Sequence, residues 1–222
     1  MIEALFPPEV IVVRATDEME NLPLHPEEAA RTEKMAPKRL SEYKLGRACV
    51  REGLARLGID NYPFLNDTDR SPIWPPNIVG SLTHCRNLCA AALTRQGAIA
   101  SLGLDAEPLR ALSPAVLERI TSPAERGHLE NLPDPPHTGG WGLLLFSAKE
   151  AFYKCYYPLT RTFLGFRDAE LEIDVLGKRF VARLVNDEVP SAAGHRRFEG
   201  RFEVSEQHLV SAVTLSRAAL RP

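Results

Sequence analysis

Apolar and polar residues recur along this chain with two different periods. From Pro37 to Gly58 the spacing is helical: Leu40, Tyr43, Arg47, Val50, Leu54 and Leu57 follow one another every three or four residues. Pro37 suits the first turn of that predicted helix and Gly58 its end. Arg47 is the odd member of an otherwise apolar stripe. Short runs with strand character lie before it (9–16) and after it (78–82, 88–93 and 98–107). Residues 61–77, rich in Pro, Asp and Asn, read as an irregular loop. Ser113-Pro114 and Ser122-Pro123 look like helix starts, the second with a capping box to Glu125. A Pro/Gly loop at 132–140, of the kind that covers sites, leads into a strongly apolar segment at 141–157. That segment is predicted as a buried helix ending near Pro158. The last third alternates with period two at 169–176, 178–185, 198–204 and 209–215, which predicts an antiparallel sheet. The class is α+β, and each half holds a helix and several strands.

Composition narrows the picture. Of the 222 residues, 44% are hydrophobic and 25% charged, enough to bury a core. A net charge of -2 speaks against a general nucleic-acid coat. Residues 1–8 carry no basic stretch followed by a long apolar one, and 10–13 is only strand-length, so no signal segment is expected. Nor is there an apolar span of about twenty residues. A cytoplasmic chain with no membrane segment and no nucleic-acid partner is the expectation. The four cysteines read as free thiols; Cys85 and Cys89 after His84 lack the second Cys/His pair that a zinc site needs.

Chemistry concentrates in three places. Asp105 and Glu107, two apart on a strand, point to the same face and can meet one hard cation. Glu150 shares a helix face with Phe146, Tyr153 and Tyr157, where a carboxylate is costly unless paired or metal-bound. Its alternatives are an ion pair with Lys154, four residues on, or a third ligand beside Asp105 and Glu107. Ser81, Thr83 and His84 end a strand in a turn whose side chains suit a phosphate. Arg39 and Arg47, two turns apart on one helix side, can hold one anion. Lys38, Lys44 and Arg51 read as solvated. No Gly-rich phosphate loop and no Ser-His-Asp signature is present.

These residues become recognisable together. Leu102-Gly103-Leu104-Asp105-Ala106-Glu107 and Phe146-Ser147-Ala148-Lys149-Glu150-Ala151-Phe152-Tyr153-Lys154 resemble the two signature motifs of the 4′-phosphopantetheinyl transferase superfamily. Lys38-Arg39, Glu42-Tyr43 and Gly46-Arg47 resemble its Sfp-type branch that includes enterobactin synthase component D. So does Arg70-Ser71-Pro72-Ile73-Trp74-Pro75, leading into Val79-Gly80-Ser81-Leu82-Thr83-His84-Cys85. The likeness runs in register over 38–165.

The resemblance implies a monomer of two pseudo-symmetric α+β halves, 1–103 and 104–222, with coenzyme A in the cleft between them. It implies magnesium, or manganese, on Asp105, Glu107 and Glu150. Asp105, Glu150 and Lys154 would be catalytic, and Lys154 would contact the coenzyme A pyrophosphate. Arg39, Arg47, Arg70, Thr83, His84 and Lys149 would complete the coenzyme A site. Asn66 stands where some relatives have lysine. The implied reaction transfers phosphopantetheine to a serine of an apo acyl or peptidyl carrier protein, releasing 3′,5′-ADP. The carriers would serve siderophore, peptide or polyketide synthesis. They would dock on 132–140 and 113–126, with Arg119 and Arg126 facing an acidic helix. Two other readings stay open: a binding module without turnover, and a magnesium phosphohydrolase that needs no carrier.

Overall fold

The computed structural model describes residues 2–220. Its first half runs β1 (Ile11–Arg14), α1 (Pro26–Ala29), α2 (Pro37–Arg56), β2 (Ile78–Cys85) and β3 (Leu88–Arg95). The remainder runs β4 (Ile99–Pro108), α3 (Pro114–Ile120), α4 (Pro123–Glu130), α5 (Gly140–Thr160), β5 (Ala169–Asp174), β6 (Arg179–Leu184), β7 (Arg197–Val204) and β8 (His208–Ser216). The strands form two antiparallel sheets, ordered β1-β3-β2 and β4-β8-β7-β6-β5. The α+β class and the two antiparallel sheets match the sequence expectation. A division at 103/104 would cut β4, which lies wholly in the five-stranded sheet; the sheets part between Arg95 and Ile99.

Each sheet is covered by one long helix. Val50 and Leu54 of the predicted α2 stripe, with Cys49 beside them, pack onto Val13, Ala91 and Leu93. α5 packs Leu144, Ala151, Phe152 and Tyr156 onto Leu171, Phe180, Phe198 and Val213. Burial of these side chains, about 1.5–3 kcal/mol for each Val, Leu or Phe and less for the alanines, is the main force that fixes both helices. α5 passes Pro158, near its predicted end, by only two residues. It continues to Thr160 and stops at Arg161, whose φ of 52° closes it in the left-handed region. Pro158 sits in the last turn, where it forfeits only one backbone bond. Tyr156 anchors that turn by donating to the Pro190 carbonyl at 2.6 Å. The predicted capping box of α4 is present in both directions, Glu125 N to Ser122 Oγ at 3.2 Å and Ser122 N to Glu125 Oε2 at 2.8 Å. Among the described residues, no helix is long and apolar enough to cross a membrane.

The two sheets meet along β2 and β4, with no backbone ladder between these strands. Side-chain hydroxyls take its place. Ser81 Oγ accepts from Leu104 N at 2.9 Å and Thr83 Oγ1 accepts from Ala106 N at 3.0 Å. Two backbone donors of β4 that would otherwise be buried and orphaned are thereby satisfied.

Candidate active site at the seam between the sheets

The acids gather on the α5 side of this seam. Alternation along β4 sends Ser101, Gly103, Asp105 and Glu107 to one face. Ser101 Oγ donates to the Cys155 carbonyl at 2.6 Å. At Gly103 a Cβ would lie 1.9 Å from the Ala151 carbonyl oxygen and 2.8 Å from Cys155 N. Only a glycine lets the strand lie this close to the helix backbone. That contact brings Asp105 under α5, where Lys154 Nζ donates to Asp105 Oδ1 at 2.8 Å and to the Leu104 carbonyl at 3.0 Å. Lys154 therefore pairs with Asp105, and not with Glu150 as helical spacing alone would have it.

Asp105 is buried, and its second oxygen, Oδ2, has no hydrogen-bond partner. Burial, with the charge of Asp105 next in weight, pushes Glu107 up to about 7. The same two causes raise Glu150, and Lys154 only partly offsets them. Three mutually repelling carboxylates beside two cations, the Lys154 ammonium and Arg110 near Glu107, are short of positive charge. Among the described residues, no three His, Cys, Asp or Glu side chains come together tightly enough to cage a metal. Magnesium does not need such a cage: it takes one or two carboxylates, keeps waters and accepts substrate phosphates. The orphaned Oδ2 and the acid surplus fit that cation.

Glu107 gives a stability prediction. Its folded pKa of about 7 lies above the ordinary 4.5. The folded state thus holds the proton more tightly, a stabilisation complete below pH 4.5 and lost as pH rises through about 7. Glu107→Gln cannot lose it. In chelator, the variant's Tm relative to wild type should be higher at pH 8 than at pH 5. Solvent screening at this half-buried group holds the gain to about 1 kcal/mol, or roughly 2–4 °C in Tm. Calorimetry at both pH values checks it; a pH-independent difference would mean that Glu107 ionises normally.

Across the seam lies a mixed-charge cluster. Arg39 sits 3.3 Å from His84 Nε2 and 3.4 Å from Glu42, and His84 Nε2 is 3.3 Å from Glu42. Burial lowers the His84 pKa, with Glu42 opposing. The sequence motif included Glu42 but gave it no role, although it stands three residues from Arg39 on the same helix face. β2 continues to Cys85, so Thr83 and His84 lie on the strand and not in a turn. Thr83 is buried with its oxygen engaged by β4, while His84 is exposed. Arg47 is 4% exposed. Its Nε donates to the Phe64 carbonyl at 3.1 Å, its NH2 donates to Asn66, and its guanidinium lies 3.6 Å from the Tyr43 ring centroid. Asn66 in turn donates to the Arg70 carbonyl at 2.6 Å, and Arg70 is exposed at a φ of 69°.

Two expectations need correction. Lys149 does not face the seam. It is 4% exposed, and its ammonium donates to Glu125 Oε2 and the Ile120 carbonyl at 2.8 Å each, and to the Phe166 carbonyl at 2.5 Å. One residue of helix rotates a side chain by about 100°, which takes Lys149 away from Glu150 and into the second half's core. Arg51 is not solvated. It donates to the fully buried Glu28, which also accepts from His25 N and Phe64 N at 3.0 Å each. The helix-period reading carried no signal for Glu28, because it lies in a single four-residue turn. All four cysteines are free.

A cavity of about 1060 Å³ lies elsewhere, over the face of the five-stranded sheet that carries Glu172, Arg183 and Arg197. Two ion pairs, Arg183–Glu172 at 3.4 Å and Arg197–Glu199, engage part of its charge. Among the described residues, the seam combines an orphaned acid, a partly buried ammonium and exposed basic groups, the makings of a site for a phosphate ester with a divalent metal. Comparison with known proteins supplies the family. Residues 27–94 match the 4′-phosphopantetheinyl transferase N-terminal domain, and 101–212 match the 4′-phosphopantetheinyl transferase superfamily. The chain is 40% identical over 226 aligned positions to 4′-phosphopantetheinyl transferase Svp of Streptomyces mobaraensis, covering 99% of this chain and 91% of that protein. It is 38% identical over 196 positions to 4′-phosphopantetheinyl transferase PptT of Mycobacterium tuberculosis, covering 86% and 85%. Enterobactin synthase component D of Escherichia coli is 31% identical over a shorter stretch, 60% of this chain and 62% of that one. The chain belongs to the 4′-phosphopantetheinyl transferase superfamily.

Proposed function

We propose that this transferase takes 4′-phosphopantetheine from coenzyme A at the seam and attaches it to a serine of an apo acyl or peptidyl carrier protein. The observation that carries the reading is the acid surplus at Asp105, Glu107 and Glu150, with one buried carboxylate oxygen unpartnered. Those three residues would hold magnesium or manganese, which supplies charge neutralisation to the pyrophosphate. The serine Oγ bonds to the β-phosphorus of coenzyme A as the bond to the 3′,5′-ADP oxygen breaks. Glu150 takes the serine proton; burial and the charge of Asp105 raise its affinity for a proton, as a base requires. Lys154, fixed on Asp105 and the Leu104 carbonyl, presents its remaining donor toward the leaving phosphate. The carrier approaches from α3, where Val116 and Arg119 are exposed. Arg126 is less free, since it donates to both Thr121 oxygens at 3.1 Å. Mass spectrometry of an apo carrier incubated with enzyme, coenzyme A and magnesium tests the reading directly. A gain of one phosphopantetheine is expected, and hydrolysis of coenzyme A without carrier modification would overturn it.

The 3′-phosphate of coenzyme A would be held by Arg39 and His84, with Arg47 behind them. Charged hydrogen bonds of this kind contribute about 1.5–3 kcal/mol each. Dephospho-coenzyme A should therefore bind roughly tenfold or more weakly than coenzyme A. Arg47 engages a carbonyl, an amide and a ring and makes no ion pair; the buried Glu28 acts on it only through space, which leaves its charge available to a ligand. Arg47→Ala should lower Tm and also narrow the gap between the two ligands. Calorimetric affinities in wild type and variant check this; an unchanged ratio would assign Arg47 to stability alone.

A further inference from the structure

Three buried polar atoms without a hydrogen-bond partner belong to one crossing in the second half: Asp105 Oδ2, Ser211 Oγ and Ser147 Oγ. They come from β4, β8 and α5. Asp105 and Ser211 are direct cross-strand partners, which puts their side chains on one face with Cβ atoms about 4.5–5.5 Å apart. α5 crosses that face antiparallel to β4. Ser101 meets the Cys155 carbonyl, and two residues further on Gly103 meets the Ala151 carbonyl. Two strand residues advance about 6.8 Å, and four helical residues about 6 Å. The next step along β4 is Asp105, and the next step back along α5 is Ser147.

Ser147 and Ser211 are both 0% exposed, and Ser211 lies on its strand between the core residues Leu209 and Val213. A buried hydroxyl with no partner destabilises a fold, so a pair of them beside a buried acid calls for an explanation. Each hydroxyl is a rotatable donor, and a carboxylate has about four acceptor positions. Lys154 occupies one, on Oδ1. We infer that Ser147 and Ser211 brace the Asp105 carboxylate on its core side, by side-chain rotation or through one shared water, and so aim its free oxygen at the cation. They are positioning residues: they touch neither substrate nor metal. The inference rests on the reading of Asp105 as a metal ligand. The competing account has Ser147 turning back to its own helix backbone and Ser211 merely filling space.

The test is a manganese titration followed by electron paramagnetic resonance with coenzyme A present. The samples are wild type, Ser147→Ala, Ser211→Ala, the double Ala variant, Ser211→Thr and Asp105→Asn. Removal of groups that orient a metal ligand weakens the metal by about 10–100-fold. That loss is expected in the double variant, smaller losses in the singles and recovery in Ser211→Thr. The KM for carrier should stay unchanged while kcat falls. Wild-type manganese affinity in the folded double Ala variant overturns the brace. If that variant does not fold, the near-isosteric Ser147→Cys and Ser211→Cys pair, whose thiols are weak donors, is read by the same criterion. Failure of wild type to bind manganese, or wild-type affinity in Asp105→Asn, removes the metal-ligand reading itself and the brace with it.

Discussion

Asp105→Asn should leave a folded protein in which transfer is slower by about 10²–10³-fold, the scale seen when one preorganised electrostatic group is removed from an active site. The substitution keeps the shape of the side chain and keeps an oxygen to accept from Lys154. It removes the charge that, after burial, contributes most to raising Glu107 and Glu150. Both should then ionise closer to the usual carboxylate range, which a carboxyl-detected NMR titration can follow. Lys154 is partly exposed and can turn to water, so Tm at pH 8 should change little. Holo-carrier formation, measured by mass, supplies the rate. Transfer within threefold of wild type would show that Asp105 serves only to hold Lys154.

Gly103→Ala should be among the most damaging single-atom-scale changes in the chain. The added Cβ would lie 1.9 Å from one backbone atom of α5 and 2.8 Å from another. Neither belongs to a side chain that could swing away. Overpacking in a core costs about 1–3 kcal/mol, and backbone obstruction puts this site at or above the upper end, or roughly 6–12 °C in Tm. Relief requires β4 and α5 to separate, which also lengthens the Lys154–Asp105 contact of 2.8 Å. Stability and turnover should therefore fall together, unlike the split expected for Asp105→Asn. A variant with wild-type Tm would mean that the strand and helix are not in fact pressed together.

Much of this was visible in the residue pattern, because the long elements bury one face each and carry the matching period. α2, α5 and the four C-terminal strands announced themselves that way, within a residue or two at most ends. The Asp105 and Glu107 pair was visible because strand alternation puts both on one face. What the pattern hid was whatever depends on contacts between distant segments. Lys154 had two acids within reach, and only the pressure of Gly103 on α5 decides for Asp105. Lys149 sits next to Glu150 in sequence, yet helix rotation sends it to Glu125. Pro158 marks a helix end only where nothing holds the following turn, and Tyr156 holds it. Glu28 gave no periodic signal, although it ties Arg51 of α2 to the backbone of the 61–77 loop.

The hydroxyl stitches between β2 and β4 bear on how the two halves can move. Ser81 and Thr83 each satisfy one backbone donor, at Leu104 and Ala106, spaced two residues apart on both strands. Sliding one strand by a single residue would set Leu82 and its neighbours against those donors, and no apolar side chain can accept a hydrogen bond. The seam therefore admits no gradual glide: the halves stay in this register or come apart. His84 on one strand and Asp105 on the other are thus held at a quantised offset. The two ends of an elongated ligand spanning them would be measured against a ruler with fixed marks, and hinge-like opening, not sliding, is the only soft motion left to admit it.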